Sequence, residues 1–159
     1  MLHLRTARPE DQDAIMTLID TVYREYGDRL CLENADRDLL DIDGHYLQTG
    51  GAFIVLDNAG QVRGTHAVLP EATRPGVCYL RRLYLEAALR GGPWGTRLMQ
   101  WAVDWARNHS IRRIEFWSDT RFTRAHAFFA RLGFQRDGRL RTMHDGWLPY
   151  QEYFFFRDL

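Results

Sequence analysis

The sequence predicts an α/β fold, one mixed sheet of about seven strands with four helical segments. Two observations carry that expectation. Apolar residues switch between alternate and helical spacing in the order β-α-α-β-β-β-α-β-α-β-β. A glycine-rich turn at residues 90–96 then joins an apolar strand directly to an amphipathic helix. The 159 residues make a single domain, 1–159, large enough for one sizeable core.

Each element has its own signal. Residues 2–7 alternate as a short first strand. Pro9 opens a helix whose apolar positions Ala14, Ile15, Leu18, Ile19, Val22, Tyr23 and Tyr26 recur at helical spacing until Gly27 stops it. Residues 33–47 form a less regular helical stretch carrying Asp36, Asp38, Asp41 and Asp43. Residues 52–56 and 62–69 flank Asp57-Asn58-Ala59-Gly60, a hairpin signal, and 77–85 make the next strand. Residues 96–109 form a helix with Leu98, Trp101, Ala102 and Trp105 on one face. Residues 113–118 return as a strand, and 122–132 form the last helix, stopped by Gly133. Two further strands, from Phe134 onward and over 151–156, close the chain. The final one, Tyr153-Phe154-Phe155-Phe156, is apolar on both faces, so it either lies fully buried or contributes to a homodimer.

The turn at 90–96 is an anion site by construction, because a helix start presents unpaired N–H groups and the positive end of the dipole. Phosphate is the expected guest. A P-loop needs Gly-Lys-Ser/Thr, and the chain has no lysine. Gly91, Gly92 and Gly95 do not fit the dinucleotide fingerprint Gly-x-Gly-x-x-Gly either. Read as Arg-x-x-Gly-x-Gly, the turn matches at Arg90 and Gly95, with Pro93 at the first Gly. Farther on stands Ala125-His126-Ala127-Phe128-Phe129-Ala130-Arg131-Leu132-Gly133-Phe134. In this order the two segments resemble the signatures of the GNAT superfamily of acyl-coenzyme A N-acetyltransferases, over roughly residues 52–156. That resemblance implies a GNAT-like fold, a mostly antiparallel sheet with helices on both faces, and acetyl-CoA as co-substrate. It assigns main-chain contacts with the pantetheine arm to Leu83 and Leu85. The diphosphate cradle falls to Arg90, Gly91, Gly92, Trp94, Gly95 and Thr96.

Composition sets the remaining bounds. Net charge is zero, yet residues 1–60 hold 12 acidic and 5 arginine side chains, and residues 61–159 hold 9 and 16. A basic half suits a polyphosphorylated carrier, and an acidic half suits a cationic acceptor. The neutral total argues against nucleic acid, and no apolar run approaches the ~20 residues that span a bilayer. The N-terminus shows no signal-peptide core, and Cys31 and Cys78 read as reduced structural thiols, so a cytoplasmic location is expected. The histidines show no metal-ligand spacing, and no metal is expected.

The resemblance implies transfer of acetyl from acetyl-CoA to a small-molecule amine, by direct attack in a ternary complex. The alternatives are a non-catalytic acyl-CoA-binding module and a protein acetyltransferase. Many family members carry a tyrosine before Leu-Gly-Phe where this chain has Phe129, and an asparagine where it has Phe122. Catalytic groups are therefore sought at the carboxyl ends of the central strands. Asp119, after the strand ending at Trp117, is the leading base candidate, followed by His66 on 62–69. His126, expected to face solvent, His144 and Glu152 are further candidates. Asp36, Asp38, Asp41 and Asp43 either attract the amine or form a solvated surface.

Overall fold

The computed structural model describes residues 1–159. Its seven strands are β1 (Leu2–Thr6), β2 (Ala52–Asn58), β3 (Gln61–Pro70), β4 (Val77–Leu85), β5 (Arg113–Asp119), β6 (Gln135–Met143) and β7 (Tyr150–Asp158). They form one sheet in the order β1-β2-β3-β4-β5-β7-β6. Three α-helices accompany them, α1 (Gln12–Arg24), α2 (Trp94–Asn108) and α3 (Thr123–Arg131). The fourth helical segment is wound as a 3-10 turn, Arg37–Leu40, and a π turn, Asp43–Leu47. It is not one α-helix because its aspartates bond locally. Asp36 accepts from the Cys31 N–H at 2.9 Å and Asp41 from the Gly44 N–H at 3.0 Å, offering the backbone an alternative to helical pairing.

The helices cover both faces. α2 and α3 pack on one face, over Val68, Leu80, Ile114, Phe116 and Phe155. On the other, α1 and the two short turns enclose Phe53, Val55 and Ala67. Alternation along β3 produces this directly, since adjacent Ala67 and Val68 are fully buried in opposite cores. The β2–β3 hairpin turns where expected, with Ala59 and Gly60 both at positive φ. β7 lies between β5 and β6, so both its edges are paired within the chain.

All neighbouring strands are antiparallel except β4 and β5. These run parallel and pair only over Val77–Tyr79 and Arg113–Glu115. Beyond Tyr79 the two strands part. The β5-facing edge of residues 80–85 and the β4-facing edge of residues 116–119 therefore lack strand partners. The sheet opens there into a wedge. Tyr79 pairs with Glu115, and Trp117 and Asp119 pair with Phe154 and Glu152. Strand alternation accordingly sets Arg81, Trp117, Asp119 and Glu152 on the α1 face, with Phe116 and Ser118 on the α2–α3 face.

Candidate active site

The wedge continues into a cavity of about 770 Å³ bordered by both parted strands, the turn at 90–96, α3 and the β6–β7 loop. At one end stands the glycine-rich turn. Gly91 sits at φ +82°, a conformation that favours glycine, and a Cβ there would lie 3.1 Å from the Arg124 guanidinium. The N–H groups of Gly91, Gly92, Trp94, Gly95 and Thr96 have no acceptor in the protein. Three of these five open α2, where a helix cannot satisfy its own donors. Pro93 caps the helix at φ −80°, and its carbonyl accepts from Arg97 at 3.0 Å. Proline is well suited to a helix start, so the turn keeps its shape without that one donor.

Two of the residues expected in the cradle have other contacts. Arg90 donates through Nε to the Leu85 carbonyl at 2.9 Å and pairs through Nη1 with Glu25 at 2.8 Å. Its charge is therefore neutralised, and it braces the turn against α1. The same bond occupies the Leu85 carbonyl, leaving Leu83 as the freer main-chain position. Trp94 offers an N–H, but its indole is off the cavity wall under Arg97. Arg124 on α3 stands against the turn, and Arg131 farther along α3 also borders the cavity; neither has a carboxylate partner. Sequence reading missed both, because the turn and α3 meet only in the fold.

The predicted bases fare differently. Asp119 does border the cavity, at the end of β5. Both its oxygens are occupied: Oδ1 accepts from Arg121 Nε at 3.0 Å and from the Arg121 N–H at 2.9 Å, and Oδ2 pairs with Arg121 Nη2 at 2.7 Å. Arg121 reaches on to Asp28 at 3.0 Å, tying this corner to the segment after α1. His66 is fully buried beneath α2, where Nδ1 donates to the Leu98 carbonyl at 3.1 Å and Nε2 has no partner. Burial holds its pKa down at about 4, against a smaller opposing effect of Leu98. Such an imidazole is a poor proton acceptor near neutrality.

Glu152 is better placed. It lines the cavity on β7 and accepts from Arg141 Nε at 2.8 Å, through Oε1 alone. Its Oε2 has no protein donor. Burial raises its pKa above the ordinary value; Arg141 offsets this in part, and the nearby Asp119 and Asp145 carboxylates reinforce it. Beside it, Tyr150 donates to Asp145 at 2.7 Å, and burial followed by that bond pushes the phenol upward.

The aspartates of 36–43 divide: Asp41 and Asp43 are exposed, as a solvated surface would be, while the other two turn inward. Asp36 and Asp38 are buried and held by Arg82, with Nη1 of Arg82 2.8 Å from Asp36 and Nε 3.0 Å from Asp38. Asp41 bonds Gly44, and Asp43 accepts from Gln48 at 2.6 Å. His126, expected in solvent, is half-buried against Tyr153 and Phe155. His144 is exposed and does not itself border the cavity. Phe129 is core, packed edge-on to Phe116, Phe134 and Phe155. Phe122 packs edge-on to Tyr26.

The comparisons with known proteins agree with this geometry. The model of the Acetyltransferase (GNAT) family matches residues 14–134. The chain is 28% identical over 137 residues to the uncharacterized N-acetyltransferase YjgM of Escherichia coli (strain K12), covering 83% of this chain and 81% of the relative. Among solved structures, an acetyltransferase from Streptococcus agalactiae 2603 superposes with a TM-score of 0.83 at 18% identity, over 99% of this chain and 98% of that one. A GNAT-family acetyltransferase from Staphylococcus aureus Mu50 gives 0.82 at 16% identity, over 99% of both chains. A wedge between two parallel strands, opened beside an unpaired helix start in a chain that the family model matches over most of its length, places this protein in the GNAT family of acetyltransferases.

Proposed function

We propose that this acyltransferase moves an acetyl group from acetyl-CoA to the amine of a small molecule, by direct attack in a ternary complex. The observation that carries the reading is the group of five unpaired main-chain amides at 91–96, with Arg124 against them, at one end of the wedge. These residues fit a diphosphate. The amides supply donors, the helix start and Arg124 supply positive charge, and Gly91 leaves the approach free of a Cβ. Leu83 on the unpaired edge of β4 supplies main-chain groups to the pantetheine arm. Acetyl-CoA, when bound, supplies an activated acyl carbon.

The protein's own tasks are positioning and proton removal. Glu152, with one free oxygen and a raised pKa on the α1 face, takes the amine proton. Asp119 and Arg121 hold the corner beside it rather than act on the proton. No helix is long and apolar enough to cross a membrane, and a cytoplasmic location suits a carrier found there.

Thiol release from acetyl-CoA with a panel of amines tests this reading. Turnover is expected, and Glu152→Gln is expected to lower kcat about 10²- to 10⁴-fold. The rate should rise with pH through a pKa above the ordinary glutamate value, since the base must be ionised, and this limb should vanish in the variant. A second reading, a non-catalytic acyl-CoA-binding module, draws on Phe129, which puts a ring without a hydroxyl at the inner wall. Saturable binding without turnover on any amine would favour it.

A further inference from the structure

One hydroxyl stands at the parted edge of β5 on the α2–α3 face. Ser118 is buried, borders the cavity, and shares its face with Phe116. Its Oγ lies 3.1 Å from Nε2 of His126. The imidazole is wedged among Tyr153, Phe155 and Phe129, with ring centroids 5.6, 5.1 and 6.3 Å away. Burial, and then Arg136, lower its pKa against a smaller opposite pull from Asp119. The ring is therefore neutral near pH 7 and carries a single N–H. The other polar side chains on this wall serve elsewhere. Thr96 belongs to the turn, and His66 keeps only a buried acceptor nitrogen. Ser118 is left as the one O–H beside the parted strands on this face.

We propose that Ser118, oriented by His126, is the hydrogen-bond donor to the sulfur that leaves during acetyl transfer. In this arrangement His126 Nε2–H donates to Oγ, which turns the hydroxyl hydrogen toward the wedge. The inference rests on the transferase reading above. Ser118 surrenders no proton. The amine forms its bond to the acyl carbon, the carbon–sulfur bond breaks with its electron pair on sulfur, and the hydroxyl stabilises that anion. The amine proton leaves through Glu152 to solvent, and the released thiolate takes its proton from solvent. His126 is a positioning residue; Ser118 is the catalytic one.

The test is the acidity of the coenzyme A thiol bound to the protein, followed by thiolate ultraviolet absorbance against pH. Calorimetry confirms that each variant binds coenzyme A. In the wild type the bound thiol should titrate below free coenzyme A titrated in the same buffer. Ser118→Ala should raise it by about one to two units, the effect of one hydrogen bond to an anion. His126→Gln, which sets an amide N–H near the place of Nε2–H, should keep the wild-type value, and His126→Phe should behave as Ser118→Ala does. Turnover in Ser118→Ala should fall about ten- to a hundredfold with KM for acetyl-CoA unchanged. Equal thiol acidity in wild type and Ser118→Ala overturns the assignment. If wild-type protein binds no coenzyme A, the site reading and this inference both fall; a Ser118-dependent thiol shift without amine turnover overturns the transferase reading and with it the part of Ser118 in transfer, leaving only its hydrogen bond to the sulfur.

Discussion

Arg82 carries the most unusual combination of properties in the chain. It is buried in the sheet, sits at φ +59°, and occupies the irregular stretch where β3–β4 pairing shifts register. A non-glycine residue in that conformation costs about 1–2 kcal/mol. The bonds to Asp36, Asp38 and Tyr23 hold it there. Arg82→Leu would strand two buried carboxylates, and urea denaturation should show a loss of about 3–5 kcal/mol. Burial alone would raise the Asp38 pKa, but the Arg82 charge and hydrogen bonds outweigh it and bring it to about 2. Its contribution is complete above the ordinary carboxylate value and is lost as pH falls from there toward 2. His66 acts over a higher window. With a pKa of about 4 when folded, it withholds a proton that the unfolded chain binds below about 6.5. Stability should therefore fall between pH 6.5 and 4, by up to about 3 kcal/mol from this residue. His66→Met should flatten that window in thermal melts taken across the range.

At the level of elements, local signals were legible and distant pairings were not. The strand–turn–helix unit at 77–108 followed from apolar alternation, glycines and helical spacing, all of which act between near neighbours. The same holds for the hairpin at Ala59-Gly60. The segment at 33–47 did not form one helix, because aspartate side chains compete for its backbone N–H groups. Asp119 does border the wedge, but its pairing with Arg121, two residues away, was a signal in plain view. Arg82 with Asp36 and Asp38, and Arg124 beside Gly91, depend on contacts made across the fold, which no spacing records. Two substitutions in the turn test its reading in opposite directions. Pro93→Gly restores a donor and should tighten acetyl-CoA binding about tenfold or more. Gly91→Ala places a Cβ against Arg124 at a positive φ and should weaken binding while lowering stability by about 1–2 kcal/mol. Calorimetry and thermal melts check both.

For the whole molecule, one departure from regular pairing generates the site. Seven strands could close into an unbroken sheet, but β4 and β5 pair over three residues each and then diverge. The gap separates two chemically different walls. Helix-start amides and arginines stand on the α2–α3 side, and Glu152, Asp119 and Trp117 on the other. The uneven charge of the two halves of the sequence has a related outcome. Asp28, Asp36 and Asp38 of the acidic half find arginine partners in the basic half, at Arg121 and Arg82. That neutralisation leaves Arg124 free beside the turn. A crystal of the protein grown with coenzyme A tests the account most directly. Diphosphate density is expected on the amides of residues 91–96, with the thiol between Leu83 and Ser118. Density for the diphosphate elsewhere, or a turn swung away from the wedge with none bound, would contradict it.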